Sequence, residues 1–214
     1  MKIVLASANA GKLRELSGLL APLGWELAPQ QALGIASVAE TGTTFLENAL
    51  LKARHAARAS GLPALADDSG IEVDALGGRP GVYSARYAGE GATDRQNLEK
   101  LLAELRGVPP EERTARYRCI IAHVTSADDP TPILGEGTWE GWIATVPRGA
   151  GGFGYDPIFL PREEQGPREP GAAPAIARNP LRRTAAELSR EEKDAVSHRA
   201  RALAAFLERL RMRA

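Results

Sequence analysis

Hydrophobic positions recur along the chain with two different periods, and each period indicates the element that a stretch forms. An apolar run over residues 1–6 stops at Ser7 and predicts a first strand. An apolar stripe at helical spacing follows and ends before Pro22, and it consists of Leu13, Leu16, Leu19 and Leu20. A strand, a short turn and a helix are therefore expected over the first 24 residues.

Three polar patterns predict where later helices begin. Thr44 and Glu47 form a capping box before an apolar stretch that ends at Gly61 and Pro63, so we expect a helix to about Ser60. Thr93 and Gln96 open another helix, which ends near residues 107–110. Residues 189–192 open a terminal helix or helix pair.

Strand patterns cluster in the middle of the chain. Residues 71–74 alternate between apolar and polar, and residues 115–126 and 133–143 form two longer strand-like runs. Early alternation of strands and helices followed by clustered strands predicts an α/β class with a mixed sheet. Residues 161–183, rich in Pro, Ala, Gly and Arg, show no periodicity and predict a mobile excursion, in a chain long enough for one large domain or two small lobes.

Composition narrows the function classes. The 214 residues are 43% apolar, which is enough for a sizeable core of a soluble globular protein. Basic and acidic residues number 27 each, so the zero net charge argues against nucleic-acid or anionic-membrane binding by bulk electrostatics. The lone Cys119 excludes an internal disulfide and a cysteine-rich zinc site, which favours a reducing cytoplasm, and no apolar run is long enough to cross a bilayer.

Lysine is rare in this chain. Only five of the 27 basic residues are lysines, namely Lys2, Lys12, Lys52, Lys100 and Lys193. A lysine offers a compact point charge that suits a single phosphate or carbonyl oxygen. Rarity therefore ranks these lysines as candidates for chemistry, although chance explains it equally simply.

The turn between the first strand and helix, residues 7–12, is a candidate phosphate site. Small residues at such a turn leave backbone amides and the positive end of the helix dipole available to an anion. It is not a Walker A loop, because the glycine spacing is absent and Leu13 follows Lys12. The alternative is an Asn-Gly turn with a solvated lysine.

Two adjacent carboxylates, Asp67 and Asp68, follow an apolar run and precede Ser69 and Gly70. In a strand they would point to opposite faces, which predicts one working acid and one supporting acid. Taken alone, these residues favour a capping turn. A second pair, Asp128 and Asp129, precedes a proline in a polar linker and is interpreted as solvated.

A glycine-rich loop over residues 148–157 presents Phe153 and Tyr155 with Asp156. An aromatic ring among glycines can offer its face to a base, and the alternative is a flexible hairpin with a buried phenylalanine. Lys193, His198 and Arg199 could bind a ligand's oxygens, but an ordinary polar helix face explains them as well.

In this order, the motifs resemble the inosine triphosphate pyrophosphatase family, which hydrolyses dITP, ITP and XTP to the monophosphate and pyrophosphate. The resemblance covers nearly the whole chain. It rests on residues 7–12, 40–42, 45–49 with Lys52, 66–70, 80–86, 152–157 and 197–199.

The resemblance implies a single domain spanning 1–214 with a flexible insertion at 161–183. It also implies a long mixed twisted sheet flanked by helices, two lobes around a central active-site cleft, a homodimer and Mg²⁺ as cofactor. Asp68 would be the catalytic residue, and Glu40 and Asp68 would bind the metal. The triphosphate would be held by Ser7, Ala8, Asn9, Ala10, Gly11, Lys12 and Lys52, and Ser69 would also contact the substrate. Phe153 would stack on the base with Gly154, Tyr155 and Asp156 beside it, while Lys193, His198 and Arg199 would recognise the purine edge.

The chain departs from the family pattern in two places. Residues 161–183 are an insertion where a short turn is expected, and Arg182-Arg183-Thr184 replaces the usual Gly-Lys-Thr. Two other hypotheses remain, a non-enzymatic nucleotide-binding module and a purely structural protein. The presence of both Glu40 and Asp68 favours the enzyme, because an anion-binding site alone has no need of acids.

Overall fold

A computed structural model describes residues 1–7, 16–17, 20, 24–162 and 183–213. The predicted turn beyond Ser7, most of the helix predicted after it, and residues 163–182 of the predicted insertion lie outside the described residues. The ends of that insertion are described. Pro161 belongs to a strand paired with Gly141, and Arg183 forms an ion pair with Glu192 at 2.9 Å.

The described residues form strands, α-helices and short 3₁₀ turns. The strands are β1 (Lys2–Leu5), β2 (Glu26–Pro29), β3 (Ala64–Val73), β4 (Thr114–Val124), β5 (Ile133–Ile143) and β6 (Phe159–Pro161). The α-helices are α1 (Phe45–Ser60), α2 (Asp94–Glu104), α3 (Arg190–Val196) and α4 (His198–Arg211). The 3₁₀ turns are Gln30–Leu33, Asp74–Leu76, Gly81–Arg86, Pro110–Glu112, Asp156–Ile158 and Ala185–Glu187.

The six strands form one sheet in the order β2-β1-β3-β4-β5-β6. Strand β1 runs parallel to β2 and to β3, with Val4 opposite Ala64, whereas β5 and β6 are antiparallel. Both orientations occur in one sheet, which confirms the predicted α/β class with a mixed sheet.

The capping boxes predicted from sequence are present. The Thr44 side chain accepts a hydrogen bond from the Glu47 amide, and the Glu47 carboxylate accepts one from the Thr44 amide. Helix α1 ends at Gly61, whose positive φ of 68° fits the left-handed cap that glycine adopts without strain. Thr93 and Gln96 form the same reciprocal pair at α2. Local chemistry therefore determines where both helices begin.

The chain divides into two compact units. Unit 1 comprises Met1–Ser69, Arg118–Thr138 and Asp194–Ala214, and unit 2 comprises Gly70–Tyr117 and Trp139–Lys193. The buried core of unit 1 includes Ile3, Leu5, Leu65, Cys119, Ile121, Leu203 and Phe206. The buried core of unit 2 includes Ile71, Leu101, Trp139, Ile158 and Phe159. None of the helices in the described part of the chain has the length and apolar character needed to cross a bilayer.

Within unit 1, helix α4 lies directly against strand β5. A Cβ atom at Gly135 would overlap the Ala202 carbonyl oxygen, and one at Gly137 would overlap the His198 carbonyl oxygen. Only glycine leaves room for this backbone approach. The two glycines, which we call the glycine face of β5, therefore determine where the first turns of α4 lie.

The interpretation of Asp129 as solvated is wrong. Its side chain is buried, and its two carboxylate oxygens each accept a 2.9 Å hydrogen bond from a backbone amide, those of Thr125 and Thr131. The hydrogen bond from the Thr125 amide is the main reason why the pKa of Asp129 is lowered. This carboxylate closes the loop between β4 and β5, whereas Asp128 is exposed as expected.

Candidate active site

Asp67 and Asp68 lie in the interior of strand β3, so the capping-turn interpretation is wrong. Strand alternation sends their side chains to opposite faces, as predicted. Asp68 contacts Lys52 and Asn48, whereas Asp67 contacts Arg199 and Ser69. Both aspartates are at most 5% exposed. Two carboxylates so close together and so deeply buried need separate partners, and each has them.

Lys52 joins the two predicted metal-binding carboxylates. Its Nζ donates to Glu40 Oε1 at 2.8 Å and to Asp68 Oδ1 at 2.7 Å. Helix α1 supplies the lysine and strand β3 supplies Asp68, while Glu40 precedes the helix. We call Glu40, Lys52 and Asp68 the carboxylate–lysine cluster.

The environment of Lys52 favours its charged form. Burial by itself lowers the pKa of this ammonium group. Three carboxylates outweigh burial, so the net pKa is raised above its ordinary value; they are Asp68, Asp67 and Glu40. The cluster therefore holds a permanent positive charge between two carboxylates at neutral pH.

Asn48 lies one helical turn before Lys52, on the same face of α1. Its Nδ2 donates to Asp68 Oδ2 at 3.4 Å, and its Oδ1 accepts from the Gly42 amide at 2.8 Å. Glu47 instead caps the start of the helix, because its carboxylate accepts hydrogen bonds from the Thr43 and Thr44 amides. The hydrogen bond from the Thr43 side chain is the largest cause of the lowered pKa of Glu47.

The donor set of the cluster fits a hard divalent cation. Mg²⁺ is commonly held by one or two carboxylates together with water and substrate phosphates. Glu40 and Asp68 lie within hydrogen-bond distance of one shared ammonium group, so their oxygens converge on one place. No group of three or more His, Cys, Asp and Glu side chains able to hold a metal occurs among the described residues. Within the described part of the chain, the candidate site thus presents two carboxylates, those of Glu40 and Asp68, to a cation.

Arg199 lies in the first turn of α4 and contacts the other face of β3. Its Nη2 donates to Ser69 Oγ at 3.1 Å, and its Nε lies 3.7 Å from Asp67 Oδ2. Ser69 Oγ in turn donates to Asp67 at 3.3 Å. The neighbouring His198 is also buried. Arg199 thus ties the start of α4 to the strand that carries Asp68.

In unit 2, a buried ion pair organises the glycine-rich loop. Lys193 Nζ lies 2.6 Å from Asp156 Oδ2, and both side chains are less than 10% exposed. The same carboxylate accepts hydrogen bonds from the Phe153 amide at 2.9 Å and from the Tyr117 hydroxyl at 3.3 Å. The Lys193 ammonium also lies 5.0 Å from the centre of the Phe153 ring. Asp156 therefore fixes the backbone that carries Phe153.

Two further contacts hold this loop. Tyr155 is 4% exposed and its hydroxyl donates to the Ser84 carbonyl oxygen at 2.8 Å; burial raises its pKa. The Gly154 amide donates to Asp94 Oδ2, at the start of α2, at 2.8 Å. Gly152 has a φ of +72°, and a Cβ there would overlap the Asp156 carboxylate.

The predicted site residues fall into two sets. Unit 1 brings together Glu40, Lys52 and Asp68 on one side of β3, and Ser69 and Arg199 on the other. Unit 2 brings together Phe153, Asp156 and Lys193, with Gly154 and Tyr155 in the same loop. Ser7 is buried just after β1, and Ala8, Asn9, Ala10, Gly11 and Lys12 lie outside the described residues.

Four residues that were not predicted from sequence as part of the site each form a hydrogen bond with a predicted site residue. They are Asn48, Ser84, Asp94 and Tyr117. Only Asn48 carried a usable signal, since its spacing of four residues from Lys52 places both on one helix face.

Comparisons with known proteins agree with the resemblance that the order of the motifs indicates. A family model described as the Ham1 family matches residues 3–209. The dITP/XTP pyrophosphatase of Yersinia pseudotuberculosis is 55% identical over 210 residues, covering 98% of this chain and 98% of the relative. That of Shigella flexneri is 53% identical with the same coverage. The solved HAM1 protein of Coxiella burnetii superposes with a TM-score of 0.84 at 44% identity and covers 100% of both chains.

Proposed function

Because this chain belongs to the Ham1 family, we propose that it hydrolyses the non-standard purine nucleoside triphosphates dITP, ITP and XTP to the nucleoside monophosphate and pyrophosphate. The activity would remove deaminated purines from the nucleotide pool. The observation that carries the proposal is the carboxylate–lysine cluster, in which Lys52 lies within 2.8 Å of both Glu40 and Asp68. The names of the curated relatives support the same substrate class.

A nucleoside triphosphate carries several negative charges that must be neutralised before a nucleophile can approach the α-phosphorus. Lys52 supplies one positive charge in the cluster. Glu40 and Asp68 would hold Mg²⁺, which when bound supplies charge neutralisation of the phosphates. The turn over residues 7–12 would bind the remaining phosphate oxygens through backbone amides, Lys12 and the Ser7 hydroxyl, and Ser69 would also contact the substrate.

Asp68 is the proposed catalytic residue. Its carboxylate would orient a water molecule and accept its proton as the water attacks the α-phosphorus, while pyrophosphate departs. The contacts of Asp68 with Lys52 and Asn48 hold the carboxylate in one orientation. Asp67 on the opposite face has a different role, which is to anchor Arg199.

Base recognition is assigned to the remaining residues. Phe153 would stack on the purine, with Gly154, Tyr155 and Asp156 supporting its loop. Lys193, His198 and Arg199 would donate hydrogen bonds to the purine edge. Inosine and xanthine carry a 6-oxo acceptor where adenine carries an amino donor. A site of donors leaves partners unpaired on adenine, which discriminates strongly against it.

The decisive assay measures pyrophosphate release from dITP, ITP and XTP, with ATP and GTP as controls and with Mg²⁺ present or chelated. We expect Mg²⁺-dependent turnover of the non-standard nucleotides above that of ATP and GTP. Equal turnover of all substrates, or none, would refute the proposal. Nucleotide binding without any product would instead identify a non-enzymatic binding module.

The matched pair Asp68→Asn and Asp67→Asn tests the assignment of the catalytic acid. Loss of a general base costs about 10²–10⁴-fold in rate. We expect that loss for Asp68→Asn with an unchanged circular dichroism spectrum, and a smaller loss for Asp67→Asn. Near-wild-type turnover by Asp68→Asn would contradict the assigned role.

The resemblance also implies a homodimer in the cytoplasm, and we propose both for this chain. Light scattering coupled to size-exclusion chromatography measures the assembly directly. A mass close to that of one 22.8 kDa chain at micromolar concentration would refute the dimer.

A further inference from the structure

Asn48 contacts both segments that carry the proposed metal-binding carboxylates. Its side chain is fully buried. The Nδ2 group donates to Asp68 on strand β3, and Oδ1 accepts from the Gly42 amide, two residues after Glu40. One rigid amide therefore links the strand that bears Asp68 to the segment that bears Glu40.

The close approach of Gly42 makes this link sterically specific. A Cβ atom at position 42 would lie 2.7 Å from Asn48 Oδ1 and 2.7 Å from Glu47 Cβ. Real Cβ atoms do not approach other atoms this closely, so any larger residue displaces the segment from Asn48. Glycine at position 42 is therefore what allows the segment to approach the Asn48 side chain this closely.

We infer that Asn48 is a positioning residue for the carboxylate–lysine cluster, holding Glu40 and Asp68 at the separation from which they bind a divalent cation together. This inference rests on the proposed function. Asn48 acts through Asp68 and the Gly42 amide and has no assigned contact with substrate. Residues that orient metal ligands typically contribute about 10–100-fold to metal affinity or activity.

The chain contains a matched control at Asn97. Both asparagines lie four residues after the threonine of a capping box, and both are buried. Asn97 Oδ1 accepts from the Ala88 amide at 2.7 Å, and its Nδ2 donates to the Ala85 carbonyl oxygen at 3.0 Å. The two residues differ in that Asn48 donates to a carboxylate of the cluster. A purely structural role predicts the same behaviour for both.

The experiment compares Asn48→Ala with Asn97→Ala and the wild type. Electron paramagnetic resonance measures the Mn²⁺ dissociation constant in the presence of a purine nucleoside triphosphate with a methylene bridge between its α- and β-phosphorus atoms. Turnover of dITP and urea unfolding are measured in parallel. We expect Asn48→Ala to weaken Mn²⁺ binding and lower kcat, each by about 10–100-fold. Asn97→Ala should lose stability but keep the wild-type Mn²⁺ affinity.

Gly42→Ala tests the same link from the other side and keeps the test decisive if Asn48→Ala does not fold. It leaves the Asn48 side chain in place and displaces the segment that bears Glu40. Weakened Mn²⁺ binding is again expected. The inference is overturned if Mn²⁺ affinity stays within twofold of the wild type in the folded variants, or if Asn97→Ala weakens it equally. A wild-type protein that neither binds Mn²⁺ nor turns over dITP would instead refute the proposed function.

Discussion

Replacing Lys193 with methionine removes the cation from a buried ion pair while keeping most of the length of the side chain. The lysine and Asp156 side chains are 9% and 3% exposed, and their charged atoms lie 2.6 Å apart. Removing one partner of a buried pair leaves an uncompensated charge and typically costs about 3–5 kcal/mol. Asp156 keeps hydrogen bonds from Phe153 and Tyr117, so we expect the lower end, about 3 kcal/mol.

For a chain of this length, each kcal/mol shifts the thermal midpoint by about 2–4 °C, so Lys193→Met should lower it by about 6–12 °C. Urea unfolding followed by tryptophan fluorescence and by circular dichroism measures the free energy, provided that the two transitions coincide. Arg95→Met is the matched control. It breaks a 2.7 Å pair with Glu99 whose side chains are 86% and 57% exposed. We expect no measurable change in its unfolding midpoint, because exposed pairs contribute little.

The double variant Lys193→Met with Asp156→Asn separates lost charge from lost packing. Asparagine removes the buried negative charge, and its carbonyl oxygen can still accept the hydrogen bond from the Phe153 amide. We therefore expect the double variant to be more stable than Lys193→Met alone. The reasoning fails if Lys193→Met unfolds at the wild-type urea concentration, or if the second substitution destabilises the protein further.

Three further outcomes are expected. His123 is buried against the Trp25 and Phe206 rings, and burial lowers its pKa. As the pH drops, the unfolded chain is therefore protonated at a higher pH than the folded protein. The free energy of unfolding should accordingly fall below about pH 6.5. His123→Phe should flatten this slope in urea titrations between pH 7 and 5, and an unchanged slope would exclude His123 as its source. Gly137→Ala should lower the free energy of unfolding by about 1–3 kcal/mol in the same assay, since its Cβ would overlap the His198 carbonyl oxygen. An unchanged free energy of unfolding would show that α4 can shift freely. Gly152→Ala should raise KM for dITP more than it lowers kcat, because it displaces the Asp156 carboxylate that holds Phe153, and an unchanged KM would contradict that role.

Features determined by local chemistry could be predicted from the sequence. The capping boxes at Thr44 and Thr93 gave both helix starts correctly, because the residues that satisfy the first amides lie within one turn. The limits of β5 were also predicted correctly from its strand-like pattern. The opposite orientation of Asp67 and Asp68 followed from strand geometry once the residues were placed in a strand.

Features determined by distant partners could not be predicted. The Asp67–Asp68 and Asp128–Asp129 pairs look alike in sequence, and each pair taken alone favours ordinary loop chemistry. In the structure Asp67, Asp68 and Asp129 are buried, whereas Asp128 is exposed. What distinguishes them is the partner: backbone amides for Asp129 and side chains for Asp68. The Lys193–Asp156 pair joins residues 37 positions apart, and no local pattern encodes that distance.

The glycine face of β5 limits which substitutions this part of the chain can accept. Most packed surfaces can absorb a substitution by a change of side-chain rotamer, but here the atom nearest to each glycine belongs to the backbone of α4, which no rotamer change can move. A methyl group added at Gly135 or Gly137 can be accommodated only by movement of α4 as a body, which carries Arg199 away from Asp67. Substitutions at Gly135 and Gly137 are therefore expected to disturb the contact between Arg199 and Asp67, although neither glycine contacts a carboxylate of the site.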